Sequence, residues 1–130
     1  MAFSQLNMIF TAALKKNSDF SRIYKKGRHY TSKYLILYVL REYPDKNALG
    51  VTASRKVGKS VRRNKLKRLV KENYRLMEGY ILTGFAFVFV IRAQRDDMPD
   101  FYAIRRDMRS LLARAGAFDC DKWEISLQGD

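Results

Sequence analysis

Seven consecutive apolar residues, Phe85-Ala86-Phe87-Val88-Phe89-Val90-Ile91, constrain the fold more than any other part of the chain. The run reads as a central strand buried on both faces, which requires neighbouring strands and packed helices. One neighbour is Tyr34 to Leu40, rich in aromatic and β-branched residues. There Tyr34, Ile36, Tyr38 and Leu40 point one way and Leu35, Leu37 and Val39 the other. Both faces are apolar, so both are covered or one lines a groove. A turn through Pro44-Asp45-Lys46-Asn47 leads to a strand at Leu49 to Ser54, and these two strands are expected to form a hairpin. A shorter strand around His29 to Ser32 precedes them.

Helices fill the intervals. Ser18 to Lys26 has Ser18 as cap, Asp19 in the first turn and Gly27 at the C′ position, with Phe20, Ile23 and Tyr24 on one face. A second helix runs from Ser60, its expected N-cap, to Glu78, with Leu66, Leu69, Val70 and Met77 as the stripe facing the core. A third spans Asp100 to Ala115 and buries Ile104, Met108, Leu111, Leu112 and Ala115. The tail, Phe118 to Leu127, reads as a short strand. The expected architecture is an α/β (α+β) sandwich of order α-β-β-β-α-β-α, a single sheet of about four strands with helices packed on it. A chain of 130 residues, 47% hydrophobic, suits one domain over 1–130, its core at about 14–116 and the stretches 1–13 and 117–130 as extensions.

The second helix carries an unusual charge. Arg55, Lys56, Lys59, Arg62, Arg63, Lys65, Lys67, Arg68, Lys71 and Arg75 are ten of the chain's 26 Lys and Arg, against one acidic residue, Glu72. At ~100° per residue, Asn64, Lys67, Arg68, Lys71 and Arg75 share one arc. Like charges three and four apart cost a few tenths of a kcal/mol per pair, and a merely solvated face mixes signs. With a net charge of +13 and a sequence pI of about 10.1, the ridge points to a polyanion. Ahead of it, Val57-Gly58-Lys59-Ser60 carries strand into helix and offers backbone N–H groups to an anion. Phe20 and Tyr24, with Tyr34 and Tyr38, are placed to meet across a cleft where bases stack, although aromatics at such spacing also make ordinary core.

Other chemistries lack material. His29 and Cys120 are the only residues of their kinds, which excludes an internal disulfide and a Cys-cluster zinc site and leaves a His-based catalytic array almost no material. Asp96, Asp97 and Asp100 read as a solvated turn and a helix cap. There is no apolar run of membrane-spanning length and no basic segment before Lys15 of the kind a secretory signal carries, so a cytoplasmic protein is expected.

The order of these motifs resembles the protein component of bacterial ribonuclease P. The resemblance rests on Arg62-Arg63-Asn64-Lys65-Leu66-Lys67-Arg68, on the preceding Gly50 to Gly58, on Leu14 to Phe20 with Tyr24 to Gly27, on Tyr34 to Tyr38, and on the last strand and helix. Lys65, where the family usually has Arg, the longer N-terminus and the tail after Gly116 depart from its pattern; Lys65 loses the planar fork that holds a phosphate bidentately. The resemblance implies a left-handed β-α-β crossover around the basic helix. It implies a subunit of the ribonucleoprotein that removes the 5′ leader of precursor tRNA, with RNA and Mg²⁺ as the catalytic centre and no catalytic residue or metal ligand on this chain. Arg55, Lys56, Lys59, Arg62, Arg63, Asn64, Lys65, Lys67, Arg68, Lys71 and Arg75 would bind the catalytic RNA, one protein monomer per RNA. Phe20, Tyr24, Tyr34 and Tyr38 would line the leader's path. A ribosomal or general structured-RNA-binding protein is the alternative that the charge alone leaves open; a DNA-binding protein is disfavoured because no helix-turn-helix spacing is visible.

Overall fold

The computed structural model describes residues 9–42 and 45–128. Its elements are β1 (Thr11–Ala13), α1 (Asn17–Lys26), β2 (Arg28–Thr31), β3 (Leu35–Arg41), β4 (Asn47–Ala53), α2 (Ser60–Met77), β5 (Phe85–Ile91), α3 (Phe101–Arg114) and α4 (Cys120–Gln128). The five strands form one sheet in the order β1-β4-β5-β3-β2. The apolar run is the middle strand: β5 pairs antiparallel with β3 and parallel with β4.

This order overturns the expected hairpin. β3 and β4 both pair with β5, which lies between them. The most apolar strand takes the most buried place, and two strands next to each other in sequence are parted to flank it. Pro44 of the expected turn lies outside the described residues. The fifth strand, β1, is additional to those expected. Its partners are supplied from α2 and the turn beyond it. Buried Glu78 accepts from the N–H groups of Ile9 and Phe10 at 2.7 and 3.2 Å and from the Thr11 hydroxyl at 2.6 Å, which also meets the Tyr74 hydroxyl at 2.9 Å.

Helices cover both faces. On one side Leu66, Val70, Tyr74 and Met77 of α2 and Ile104, Met108, Leu111 and Leu112 of α3 pack on Leu35, Leu37, Leu49, Phe87, Phe89 and Ile91. On the other, Ile23 of α1 packs on Ala48, Ala86 and Val88. Small side chains there let the helix sit close to the sheet. The buried stripe of α2 is displaced from the expected one: Tyr74 and Asn73 are fully buried, and Leu69 is half-buried. Asn73 is admitted because it is satisfied, donating to the carbonyls of Leu69 and Phe101 and accepting from Arg105 Nε at 3.1 Å.

The parallel pair β4 and β5, joined through α2, has the rare hand. Leu49 turns its side chain to the α2 face while its carbonyl accepts from Leu14 N–H, on the β1 side, at 2.9 Å. Seen from its side-chain face with the chain running upward, an L-residue in a strand points its carbonyl to the right. β1 is therefore to the right of β4 and β5 to the left, so the crossover in front of the sheet moves leftward. About 98% of such connections go the other way.

Three local expectations are corrected. Lys16 and Lys59, not Ser18 and Ser60, occupy the N-cap positions of α1 and α2, neither with a side-chain cap bond; Ser54 instead caps the turn ahead of α2, accepting from Lys56 N–H. Gly27 ends α1 in an extended conformation, not a left-handed one. A side chain there would lie 2.7 Å from the carbonyl oxygens of Ile23 and Val39, so close approach is what selects glycine. The tail is the helix α4, started by Asp119, whose carboxylate accepts from Lys122 N–H; only Phe118 keeps a strand-like pairing, with Ile81.

Candidate nucleic-acid interface

Strand register builds a groove on the α1 face. Gly50 of β4, Val88 of β5, Tyr38 of β3 and His29 of β2 stand at one level across the sheet. Phe20 and Tyr24 of α1 lie along that level. A side chain on Gly50 would come within 2.6 Å of the Phe20 ring, so the ring rests directly on the glycine. Ring centroids then follow at 6.5 Å from Phe20 to Tyr24, 4.8 Å from Tyr24 to Tyr38 and 5.5 Å from Tyr38 to His29. Beyond this aromatic row lies the next level, Thr52, Val90, Ile36 and Thr31, whose residues are half-buried or exposed. Sheet forms the floor and α1 the wall. The groove has apolar and aromatic surfaces with open faces, which suit unpaired bases.

Phe20, Tyr24 and Tyr38 thus come together, and Tyr24 is 39% exposed. Tyr34 does not join them. It is 8% exposed in the core on the opposite face, against α2 and α3. The alternation that put Tyr34 with Tyr38 fails because β3 begins at Leu35. Tyr34 belongs to the preceding turn, where its N–H donates to the buried Asp107 carboxylate at 2.9 Å. Sequence reasoning also missed His29, Thr52, Val90 and Ile36 as groove residues. Ile36 could have been found from the alternation of β3; Thr52 and Val90 needed the correct strand pairing.

The basic residues divide in three. Asn64, Lys65, Arg68 and Lys71 are exposed along α2, with Lys67 half-buried beside them, as the ridge requires. Arg55, Lys56 and Lys59 are exposed on the turn between β4 and α2, next to the Thr52 end of the groove. The turn depends on Gly58, whose φ of 147° disfavours other residues. Arg62 has a different place. Its Nε donates to Val57 O at 2.7 Å, and its Nη2 donates to Asp97 O at 2.7 Å and to Gln94 O. The guanidinium therefore ties the turn to the loop between β5 and α3. Arg75 is bound by Glu72 at 3.0 and 2.6 Å, and this bond holds the Glu72 carboxyl below its ordinary range. Half-buried Arg63 keeps its Nε without a protein partner.

Among the described residues no group of three or more His, Cys, Asp or Glu comes together to hold a metal, and no helix is long and apolar enough to cross a membrane.

Comparison with known proteins places this geometry. The sequence profile of the family described as Ribonuclease P matches residues 9–116. The ribonuclease P protein component of Clostridium botulinum (strain 657) is 41% identical over 107 residues, covering 82% of this chain and 96% of that protein. That of Clostridioides difficile (strain 630) is 39% identical, covering 80% and 91%. Among solved structures, the RNase P protein of Thermotoga maritima superposes with a TM-score of 0.72 at 34% identity over 78% of this chain and 96% of that one. The RNase P protein of Staphylococcus aureus gives 0.69 at 30% identity, covering 82% and 96%. α4 lies beyond the profile match.

Proposed function

The chain belongs to the family of bacterial ribonuclease P protein components, subunits of the ribonucleoprotein endoribonuclease that matures tRNA 5′ ends, and from that premise we propose how its two surfaces divide the work. The ridge of Asn64, Lys65, Lys67, Arg68 and Lys71, with Arg55, Lys56 and Lys59 on the turn, binds the backbone of the catalytic RNA. Arg63 and Arg75 add to it at the edges, and Arg62 acts through the turn it holds in place. The groove of Phe20, Tyr24 and Tyr38, extended by His29, Ile36, Thr52 and Val90, takes the single-stranded 5′ leader of precursor tRNA.

The observation that carries this reading is the adjacency of the two surfaces. The groove opens at Thr52 on β4, and β4 runs straight into the basic turn and α2. One protein can thus hold the catalytic RNA and present the leader to it. This chain's contribution, on this reading, is binding, orientation and relief of phosphate repulsion. The complex is one protein to one RNA in the cytoplasm, with Mg²⁺ on the RNA. Adding the purified protein to ribonuclease P RNA at low Mg²⁺ tests the reading: leader removal should be stimulated, and binding of the RNA without stimulation would leave only a general RNA-binding protein.

A further inference from the structure

The aromatic row ends on an edge strand, and the surface past that edge is basic. Arg28 precedes His29 on β2 and so turns its side chain to the opposite face. Arg28 pairs with Val39, and Arg41, two residues along β3, pairs with Phe85. Arg28 and Arg41 are therefore diagonal neighbours on one sheet face, ~7–8 Å apart. Lys26, the last residue of α1, closes a third side. With Tyr30, Phe85 and Ala115 they line a concavity of about 370 Å³ that has no carboxylate among its described lining residues.

Among the described residues none of the three cations forms an ion pair or a side-chain hydrogen bond. Glu42, the next residue after Arg41, is occupied by Arg22 through bonds of 2.7 and 2.9 Å. The Arg41 guanidinium lies 5.0 Å from the centroid of the Phe85 ring, an apolar platform that orients the charge without cancelling it. Cations gathered at one concavity repel each other, and a polyanion relieves that repulsion. The place is remote from the basic turn ahead of α2. Arg41 stands at Phe85, whereas the turn into α2 follows Ala53, which pairs with Ile91 at the other end of β5; six strand residues separate them by ~20 Å.

We propose that Lys26, Arg28 and Arg41 form a second phosphate-binding site, which takes the backbone of leader nucleotides farther from the cleavage point than those on the aromatic row. The inference rests on the reading of the groove as the leader's path. Continuity selects the leader over other RNA: a strand that follows the rings from Phe20 to His29 leaves the sheet at β2, where exposed Arg28 is the adjacent residue.

Two precursor tRNAs decide it, one with a leader ending within the aromatic row and one extending several nucleotides past it. Their affinities for the reconstituted holoenzyme are measured with wild type, with Arg28→Glu, which alters only an exposed edge position, and with Arg28→Ala combined with Arg41→Ala. The long-leader precursor should bind several-fold more weakly to both variants, with the salt slope reduced by ~0.7 for each phosphate that is no longer neutralised. Affinity for the short-leader precursor should be unchanged. Equal loss on both precursors, or no loss on either with unchanged thermal unfolding, would overturn the proposal. Tyr38→Ala, run alongside, separates the two readings. If it weakens both precursors while Arg28→Glu weakens neither, the groove stands and the second site falls; if Tyr38→Ala affects neither, both fall.

Discussion

Replacing Lys67 and Lys71 together by alanine should flatten the salt dependence of binding to ribonuclease P RNA. The two side chains are neighbours at i and i+4 on the exposed arc of α2, and among the described residues neither has an acidic partner. If each neutralises one phosphate, the slope of log affinity against log salt falls by ~1.4–1.8. Over a rise from about 50 to 200 mM salt, wild-type affinity then drops roughly ten times further than that of the variant. Folding stability should move the opposite way. Removing a like-charge pair relieves about 0.2–0.5 kcal/mol of helix repulsion, so the variant should unfold at equal or slightly higher urea. Glu72→Gln supplies the converse. It releases Arg75 from the bonds of 3.0 and 2.6 Å that now hold it, and should steepen the slope by up to ~0.7–0.9. Filter binding across a salt series, with urea unfolding in parallel, measures all three. An unchanged slope for the Lys67/Lys71 variant, or a slope loss matched by lost stability, would refute the ridge as an RNA-binding surface.

Tyr24→Ala should weaken precursor tRNA binding by the ~1–3 kcal/mol of one stacked base, about 5- to 150-fold, and leave mature tRNA unaffected; equal effects on both would make Tyr24 a packing residue. Gly50→Ala should push the Phe20 ring off its seat, because the new carbon would start 2.6 Å from the ring, at a cost of about 1–3 kcal/mol. Weakened precursor binding should accompany that loss of stability in urea, and an unaltered protein would show that the ring does not rest there. Burial pushes the Tyr74 hydroxyl well above its ordinary value, so its contribution is complete below the unfolded value of about 10 and is lost as pH rises toward the folded value. Wild-type stability should therefore fall by ~1.4 kcal/mol per pH unit more than that of Tyr74→Phe above pH ~10. Parallel pH curves for the two proteins would contradict it.

Residue patterns carried most of the elements but not their arrangement. Phe85 to Ile91 announced the central strand because seven apolar residues in extended conformation are stable only between two covered faces. The ridge was legible because α2 is long, and an 18-residue helix repeats its charge pattern over several turns. Strand order was not legible: proximity in sequence favours pairing β3 with β4, and only the demand of β5 for central burial parts them. Three-residue β1 has no periodicity of its own, and its place depends on Glu78 and Tyr74, more than sixty residues away in sequence. The groove inherits this pattern. Phe20, Tyr24 and Tyr38 stand out as aromatics, whereas Thr52 and Val90 become floor only once the register is known, and Tyr34 was misplaced by carrying strand alternation one residue too far.

Crosslinking in the reconstituted holoenzyme tests the division of labour most directly. Photoreactive bases are placed in the leader of precursor tRNA, and the protein peptides they capture are identified. The leader should capture peptides containing Tyr24 and Tyr38, and ribonuclease P RNA carrying the same label should capture α2 peptides containing Lys67 and Lys71. Capture of α2 by the leader, with the α1 groove untouched by it, would contradict the account.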